Sequence, residues 1–324
     1  MLTQLHIIGS LTYIYNSCTV KFCDEDMSRF KLHGIFVPHV TPFTRHGELD
    51  LESLRSCVDF WVEGGVSGLV PCGSNGEAPY LTRKERRQVI EAVVDEVNGK
   101  VPIIAGTGSM STRETVSFTE DAKDLGVDAV LVVTPFYFRL TDREICEHYK
   151  TVLEAVDIPM IIYNVPKFTG FSIEPNIISQ LVSEYENVAG VKDSSGSIET
   201  MAEIIKLVSS KISVLAGAAD LTLPTLMKGG KGAIIAVANV FPRMCSDLYG
   251  AFRDGDNEKA SNLQQSLSIV NEVLVKRHNQ LSAIKEALRL QGLPAGCARR
   301  PALPLMSEEK KDIENLLKTM QEPL

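Results

Sequence analysis

The chain has 324 residues, 44% hydrophobic and 23% charged, with a net charge of −8 and a pI near 5.4. This is ordinary globular composition, and no Lys/Arg block or basic stretch interleaved with aromatics appears, which argues against a nucleic-acid partner. Seven scattered cysteines without a CxxC pair suggest reduced thiols in a cytoplasmic protein, and six singly placed histidines with no HExxH leave a metal site unsupported.

The first stretch, "LHIIGSLTYIYNSCTV", is apolar enough to suggest a signal peptide, yet no Lys or Arg precedes it. Gly9, Ser10, Thr12, Asn16 and Ser17 interrupt it, and it is too short to span a bilayer. Met27 stands just ahead of "SRFKLHGIFVPHVTPF", where strand patterning begins. Residues 1–28 therefore read as an N-terminal extension outside the fold, as from an upstream start codon. No other stretch approaches a membrane span, so no membrane partner is expected.

From Gly34 onward, short β-branched runs alternate with helical patterns. Strands are predicted over 34–40, 68–73, 101–108, 129–135, 159–166, 188–194, 212–218 and 232–239. Their continuous Val/Ile/Ala content suits a parallel sheet covered on both faces. Between them, "DLESLRSCVDFWVEGG" carries Leu51, Leu54, Val58 and Trp61 at helical spacing and stops at Gly64–Gly65. Thr82 with Glu85, and Ser111 with Glu114, read as capping boxes. Eight such βα units predict a (β/α)8 TIM barrel over 29–253, and the count argues against a doubly wound open sheet. The helical patterns beyond, in 254–324, predict a C-terminal helical region that covers the barrel or meets another subunit.

A barrel gathers its chemistry at the C-terminal strand ends. Lys192 ends strand six, Tyr163 ends strand five, Tyr137 follows strand four, and Ser74–Asn75 follow strand two, so all should face one mouth. Strand parity points Lys192 inward with Gly190 and Val188, and Tyr163 inward with Ile161. A lysine there loses hydration of its charged form, which makes the neutral amine needed for Schiff-base chemistry accessible. The plain alternative is a rim lysine paired with Asp193.

In "PCGSNGEAPYLT", Gly73 and Gly76 permit a tight turn, and exposed N–H groups with the Ser74 hydroxyl and Asn75 amide could cradle a carboxylate. No GK[ST] follows, so it is no phosphate loop, and "GTGSMS" lacks the third glycine of a dinucleotide fingerprint. No cofactor is implied. His39 and Cys72 read as packing residues, Glu77 as a favourable charge at the adjoining helix N-terminus, and "KGGKG" as the return into strand eight.

"CGSNGE", "VVTPFYF", "IIYNVPKFTG", "VAGVKDSSG" and "GAIIAVAN", in this order over residues 30–320, resemble the dihydrodipicolinate synthase/N-acetylneuraminate lyase family. The resemblance implies a pyruvate-dependent class I aldolase or lyase, commonly tetrameric, acting on a small 2-oxo acid and an aldehyde. It makes Lys192 the Schiff-base lysine and Tyr163 the proton donor and acceptor, with Ser74 and Tyr137 completing a hydroxyl relay, Tyr137 reaching in from a neighbouring subunit. Ser74 and Asn75 would hold the 2-oxo acid carboxylate, and Ile234 would line the pyruvate pocket.

Two departures bear on the substrate. The synthases usually read GTTGE where this chain has "GSNGE", and they carry an arginine after "YNVP" where this chain has Phe168, preceded by Lys167. A flexible ammonium one residue away does not reproduce a bidentate guanidinium clamp. Cleavage of a 2-keto-3-deoxy sugar acid or 4-hydroxy-2-oxoglutarate is therefore preferred, with 4-hydroxy-tetrahydrodipicolinate synthesis as the alternative. A catalytically silent binding barrel and a metal-dependent class II aldolase are the rivals from other classes.

Overall fold

A computed structural model describes residues 32–321. The extension expected over residues 1–28 lies outside the described residues. Eight parallel strands pair in the order β2-β1-β8-β7-β6-β5-β4-β3. They are β1 (Gly34–Val37), β2 (Gly68–Leu69), β3 (Ile104–Gly106), β4 (Ala129–Val133), β5 (Met160–Asn164), β6 (Val188–Asp193), β7 (Ser213–Ala216) and β8 (Gly232–Ile234). A parallel bridge between Leu69 and Ile103 joins the two ends and closes the (β/α)8 barrel.

Around it run α1 (Leu51–Glu63), α2 (Arg83–Val97), α3 (Thr112–Asp124), α4 (Asp142–Ala155), the short α5 (Pro166–Thr169), α6 (Pro175–Glu184), α7 (Ile198–Val208), α8 (Thr222–Met227) and α9 (Pro242–Arg253). Then come α10 (Asn257–Asn271), a π-helical turn (Glu272–Arg277), α11 (Gln280–Leu290) and α12 (Ser307–Gln321). The core has two parts. Phe36, Val70, Ile104, Leu131, Ile161, Leu215 and Ile234 fill the barrel interior. A larger cluster, including Trp61, Val93, Tyr149, Ile204 and Leu274, packs between barrel and helices and continues into the C-terminal helices.

The strands are shorter than their apolar runs. Pro38 lacks the N–H that a ladder needs, so β1 stops at Val37, while β2 ends at Leu69 with one further bond from the Val70 N–H to Val37 O ahead of Pro71. "AVAN" leaves β8 for a 3-10 turn, Ala236–Asn239, where Asn239 takes the Val40 N–H and donates to the Pro38 carbonyl. Thr82 and Thr141 make complete capping boxes with Glu85 and Glu144. Ser111 makes only half of one, because the Glu114 carboxylate accepts from Ser109 Oγ instead.

Parity on β6 also needs correction. Ile161 pairs with Gly190 whereas Met160 pairs with Val188, and this register shift breaks the alternation. Val188 consequently belongs to the outer cluster, and Ala189 packs against the interior one. Lys192 and Gly190 remain on one face, since a Cβ at Gly190 would meet Leu32 and Ile161 of the interior.

Candidate active site

Parallel pairing sets Lys192 on β6 directly beside Tyr163 on β5. The Lys192 ammonium lies 4.1 Å from the Tyr163 ring centroid, and the two residues are only 4% and 6% exposed. Asp193 does not compete for the amine. It points the other way, accepting from Asn164 Nδ2 and Ser195 Oγ, both at 2.6 Å, and its burial raises its pKa. The rim-lysine alternative is thereby removed.

Tyr163 is the electrostatic centre of the cluster. Burial alone would raise its pKa, but the Lys192 charge and hydrogen bonds with Ser74, Ser194 and Lys192 side chains together outweigh it, so the phenol titrates below its ordinary 10.0. Ser194 was not singled out from the sequence. Its position directly after the lysine strand was the available signal. Gly217 on the next loop makes space for it, since a Cβ there would sit 1.9 Å from Ser194 Oγ.

A cavity of about 590 Å³ opens at this end of the barrel. Ser74, Val133, Phe136, Val165, Lys167 and Phe168 line it from the barrel, and Val275, Lys276, His278, Asn279, Gln280 and Leu281 line it from the C-terminal region. Ser74 is the link between cavity and cluster, because Lys192, Tyr163, Asn75 and Ile234 are not among its lining residues. Ile234 lies fully buried in the barrel interior. Asn75 is buried in the turn beside Ser74, and its Oδ1 accepts from Gln280 Nε2. Tyr137 lies apart from this group within the chain: it is 75% exposed on the surface, packed edge-to-face on Phe138 at 4.9 Å.

Glu77 has a different place from the one the sequence suggested. It adopts a left-handed backbone (φ 56°) and is fully buried, accepting from Lys285 Nζ at 2.6 Å and from the Arg299 N–H at 2.8 Å. Lys285 also donates to the Thr41 and Cys297 carbonyls. The C-terminal helices thus grip the turn that carries Ser74 and Asn75. A lysine inside the apolar stripe Leu281, Ile284, Leu288 was the only sequence signal for Lys285. His39 is buried against Trp61, with ring centroids 5.0 Å apart and a pKa lowered to about 4 by desolvation. Burial pushes the Cys72 thiol up to about 11. Among the described residues no helix is long and apolar enough to cross a membrane.

The protein is a carbon–carbon lyase of the class I aldolase type, in which an enzyme amine forms a Schiff base with the substrate carbonyl. The Dihydrodipicolinate synthetase family profile matches residues 31–320, and the chain belongs to this family. The 4-hydroxy-tetrahydrodipicolinate synthase of Methanothrix thermoacetophila is 39% identical over 89% of this chain and 97% of its own. The solved dihydrodipicolinate synthase from Aquifex aeolicus is 36% identical with a TM-score of 0.86, covering 90% of this chain and 99% of its own. YagE from E. coli K12, a prophage protein of the dihydrodipicolinic acid synthase family solved with pyruvate, is 31% identical with a TM-score of 0.86, over 89% and 98% of the two chains. The curated relatives' names favour the synthase reading, which ranked second on the sequence, over sugar-acid cleavage.

Proposed function

We propose that the protein condenses pyruvate with aspartate semialdehyde, as a 4-hydroxy-tetrahydrodipicolinate synthase, through a Schiff base on Lys192. The neutral Lys192 amine attacks C2 of pyruvate and the carbonyl oxygen leaves as water, giving a protonated imine. That cation is an electron sink, so C3 gives up a proton to Tyr163 and an enamine forms. Enamine C3 then attacks the aldehyde carbon, whose oxygen takes a proton back from the Tyr163–Ser74 relay, and the amino group of the former semialdehyde attacks the imine carbon, displacing the Lys192 amine and closing the ring of the product. Ser74 and Asn75 hold the pyruvate carboxylate, and Ile234 packs beneath it.

The observation that carries the acceptor is the charge of the cavity. Lys167 and Lys276 both line it, but Lys276 is paired with Asp220 at 2.7 Å, which leaves Lys167 as the cation that bears on a ligand. Among the described residues Lys167 has only uncharged hydrogen-bond partners, the Val275 carbonyl at 3.4 Å and Gln280 Oε1 at 3.5 Å, so its charge remains for an acidic ligand. An acceptor aldehyde carrying a carboxylate fits this better than a neutral polyol. A second reading, cleavage of 2-keto-3-deoxy sugar acids or 4-hydroxy-2-oxoglutarate, is favoured by half-exposed Phe168 at the position where synthases carry arginine. The exposed Tyr137–Phe138 pair supports a homodimer or homotetramer in which Tyr137 enters the relay of a neighbouring copy.

Borohydride reduction in the presence of pyruvate should add a covalent mass to Lys192. Condensation with aspartate semialdehyde is then run beside a cleavage panel of 2-keto-3-deoxy acids and 4-hydroxy-2-oxoglutarate. Faster condensation upholds the synthase, faster cleavage upholds the second reading, and an unlabelled Lys192 removes both.

A further inference from the structure

We propose that Gln280 is a positioning residue that fixes the polarity of Asn75, so that Asn75 offers its Nδ2 hydrogens and not its oxygen to the carboxylate of the bound 2-oxo acid. This rests on the reading of Ser74 and Asn75 as the carboxylate cradle. A primary amide has nearly the same shape in either orientation but opposite chemistry, one edge accepting and the other donating. A carboxylate only accepts. Asn75 therefore aids binding in one orientation and opposes it in the other.

The chain of hydrogen bonds removes that ambiguity. Gln280 Nε2 donates to Asn75 Oδ1, which commits the asparagine oxygen and leaves its Nδ2 hydrogens as what it has to give a ligand. Gln280 is itself an amide and could in principle reverse. Its Oε1, however, accepts from Lys167 Nζ at 3.5 Å. An ammonium has three donors and no acceptor, so a reversed Gln280 would set donor against donor. The one irreversible group is the lysine, and polarity passes from Lys167 through Gln280 to Asn75.

Both amides are also held in place by the backbone. Gln280 opens α11, where Asn279 caps the helix by accepting from the Ser282 N–H at 3.2 Å. The same helix carries Lys285, whose ion pair with Glu77 ties it to the turn that bears Asn75. The cradle thus meets its ligand already oriented, with little amide reorganisation left for binding.

The test is the pyruvate concentration that half-saturates borohydride trapping of Lys192, compared with that for methyl pyruvate, which lacks the anionic carboxylate. Gln280→Glu presents acceptor oxygens in both directions, so Asn75 must turn its Nδ2 toward residue 280 and its oxygen toward the ligand. Its half-saturation for pyruvate should rise about tenfold while that for the ester stays within about twofold, in keeping with the loss of a hydrogen bond to a charged group. Lys167→Glu, at an exposed position, reverses Gln280 from the other end and should give the same split. In a Lys167→Glu/Gln280→Met background that split should shrink, which separates the relay from direct repulsion of pyruvate by the new carboxylate. Equal losses for both ligands, or unchanged half-saturation for pyruvate in both single variants, would overturn the relay while leaving the Schiff-base reading intact. No adduct on Lys192 in the unaltered protein with either ligand would overturn both.

Discussion

Lys285→Met should destabilise the fold by about 3–5 kcal/mol, the range for removing one partner of a buried ion pair. Lys285 and Glu77 side chains are 2% and 0% exposed, and Lys285 Nζ donates at 2.6, 2.6 and 2.7 Å to Thr41 O, Glu77 Oε1 and Cys297 O. Methionine keeps an unbranched apolar side chain but removes the ammonium that lies 4.6 Å from the Phe43 ring centroid, and it leaves two carbonyls without that donor and a carboxylate served from this side only by the Arg299 N–H. Each group stranded in this way costs about 1–3 kcal/mol, and local relaxation returns part of it. Arg289→Met, which breaks the pair between Glu286 and a 58% exposed Arg289, should cost under about 1 kcal/mol. Urea unfolding at constant m-value separates the two. The double variant Glu77→Gln/Lys285→Met should recover part of the loss, since no charge is then buried alone. A Lys285→Met loss as small as that of Arg289→Met would refute the reasoning.

Tyr163→Phe should lower kcat by about 10²–10⁴-fold, the usual contribution of a positioned proton carrier. Burial raises the phenol pKa, but the Lys192 charge and the hydrogen bonds outweigh it, so the protonated donor is lost as pH rises through a value below 10.0. The alkaline limb of the kcat profile should lie below that pH and disappear in the variant. The hydrogen bond from Arg299, helped by Thr82, holds Glu85 at about 2 against 4.5. A depressed carboxyl contributes stability that is present above 4.5 and lost as pH falls toward 2, so Glu85→Gln should flatten the fall of Tm across that window. Parallel Tm profiles would contradict this. Among the described cysteines, iodoacetamide at mildly alkaline pH should label exposed Cys297 and spare Cys72 and Cys57, whose burial raises their pKa to about 11 and about 12. Peptide mass spectrometry reads the outcome.

What could be read from the sequence was what strand order and period alone determine. Lys192 and Tyr163 stand side by side because both end neighbouring parallel strands, a relation that follows once eight βα units are recognised. Parity was secure for Tyr163 with Ile161 and failed at Val188, because an extra residue in β6 leaves no local mark. Glu77 looked like a helix-terminus charge since its true partner is 208 positions away, on a helix whose stripe gave a lysine no evident purpose. Gln280 carried no signal at all: an amide at a helix start is unremarkable until the turn it touches is known. Lys167 was visible as a charge displaced by one residue, but its place in the cavity wall was not, and the acceptor was ranked accordingly.

The closures between Gln280 and Asn75, 205 positions apart, and between Lys285 and Glu77 have a consequence for biosynthesis. All eight strands are complete by Ile234, so the barrel can in principle assemble while the last helices are still being translated. Its entrance cannot, because Gln280 and Lys285, which hold the turn, follow the last strand in the chain. A product cut short between these points would be a shell with Lys192 buried inside and no finished doorway.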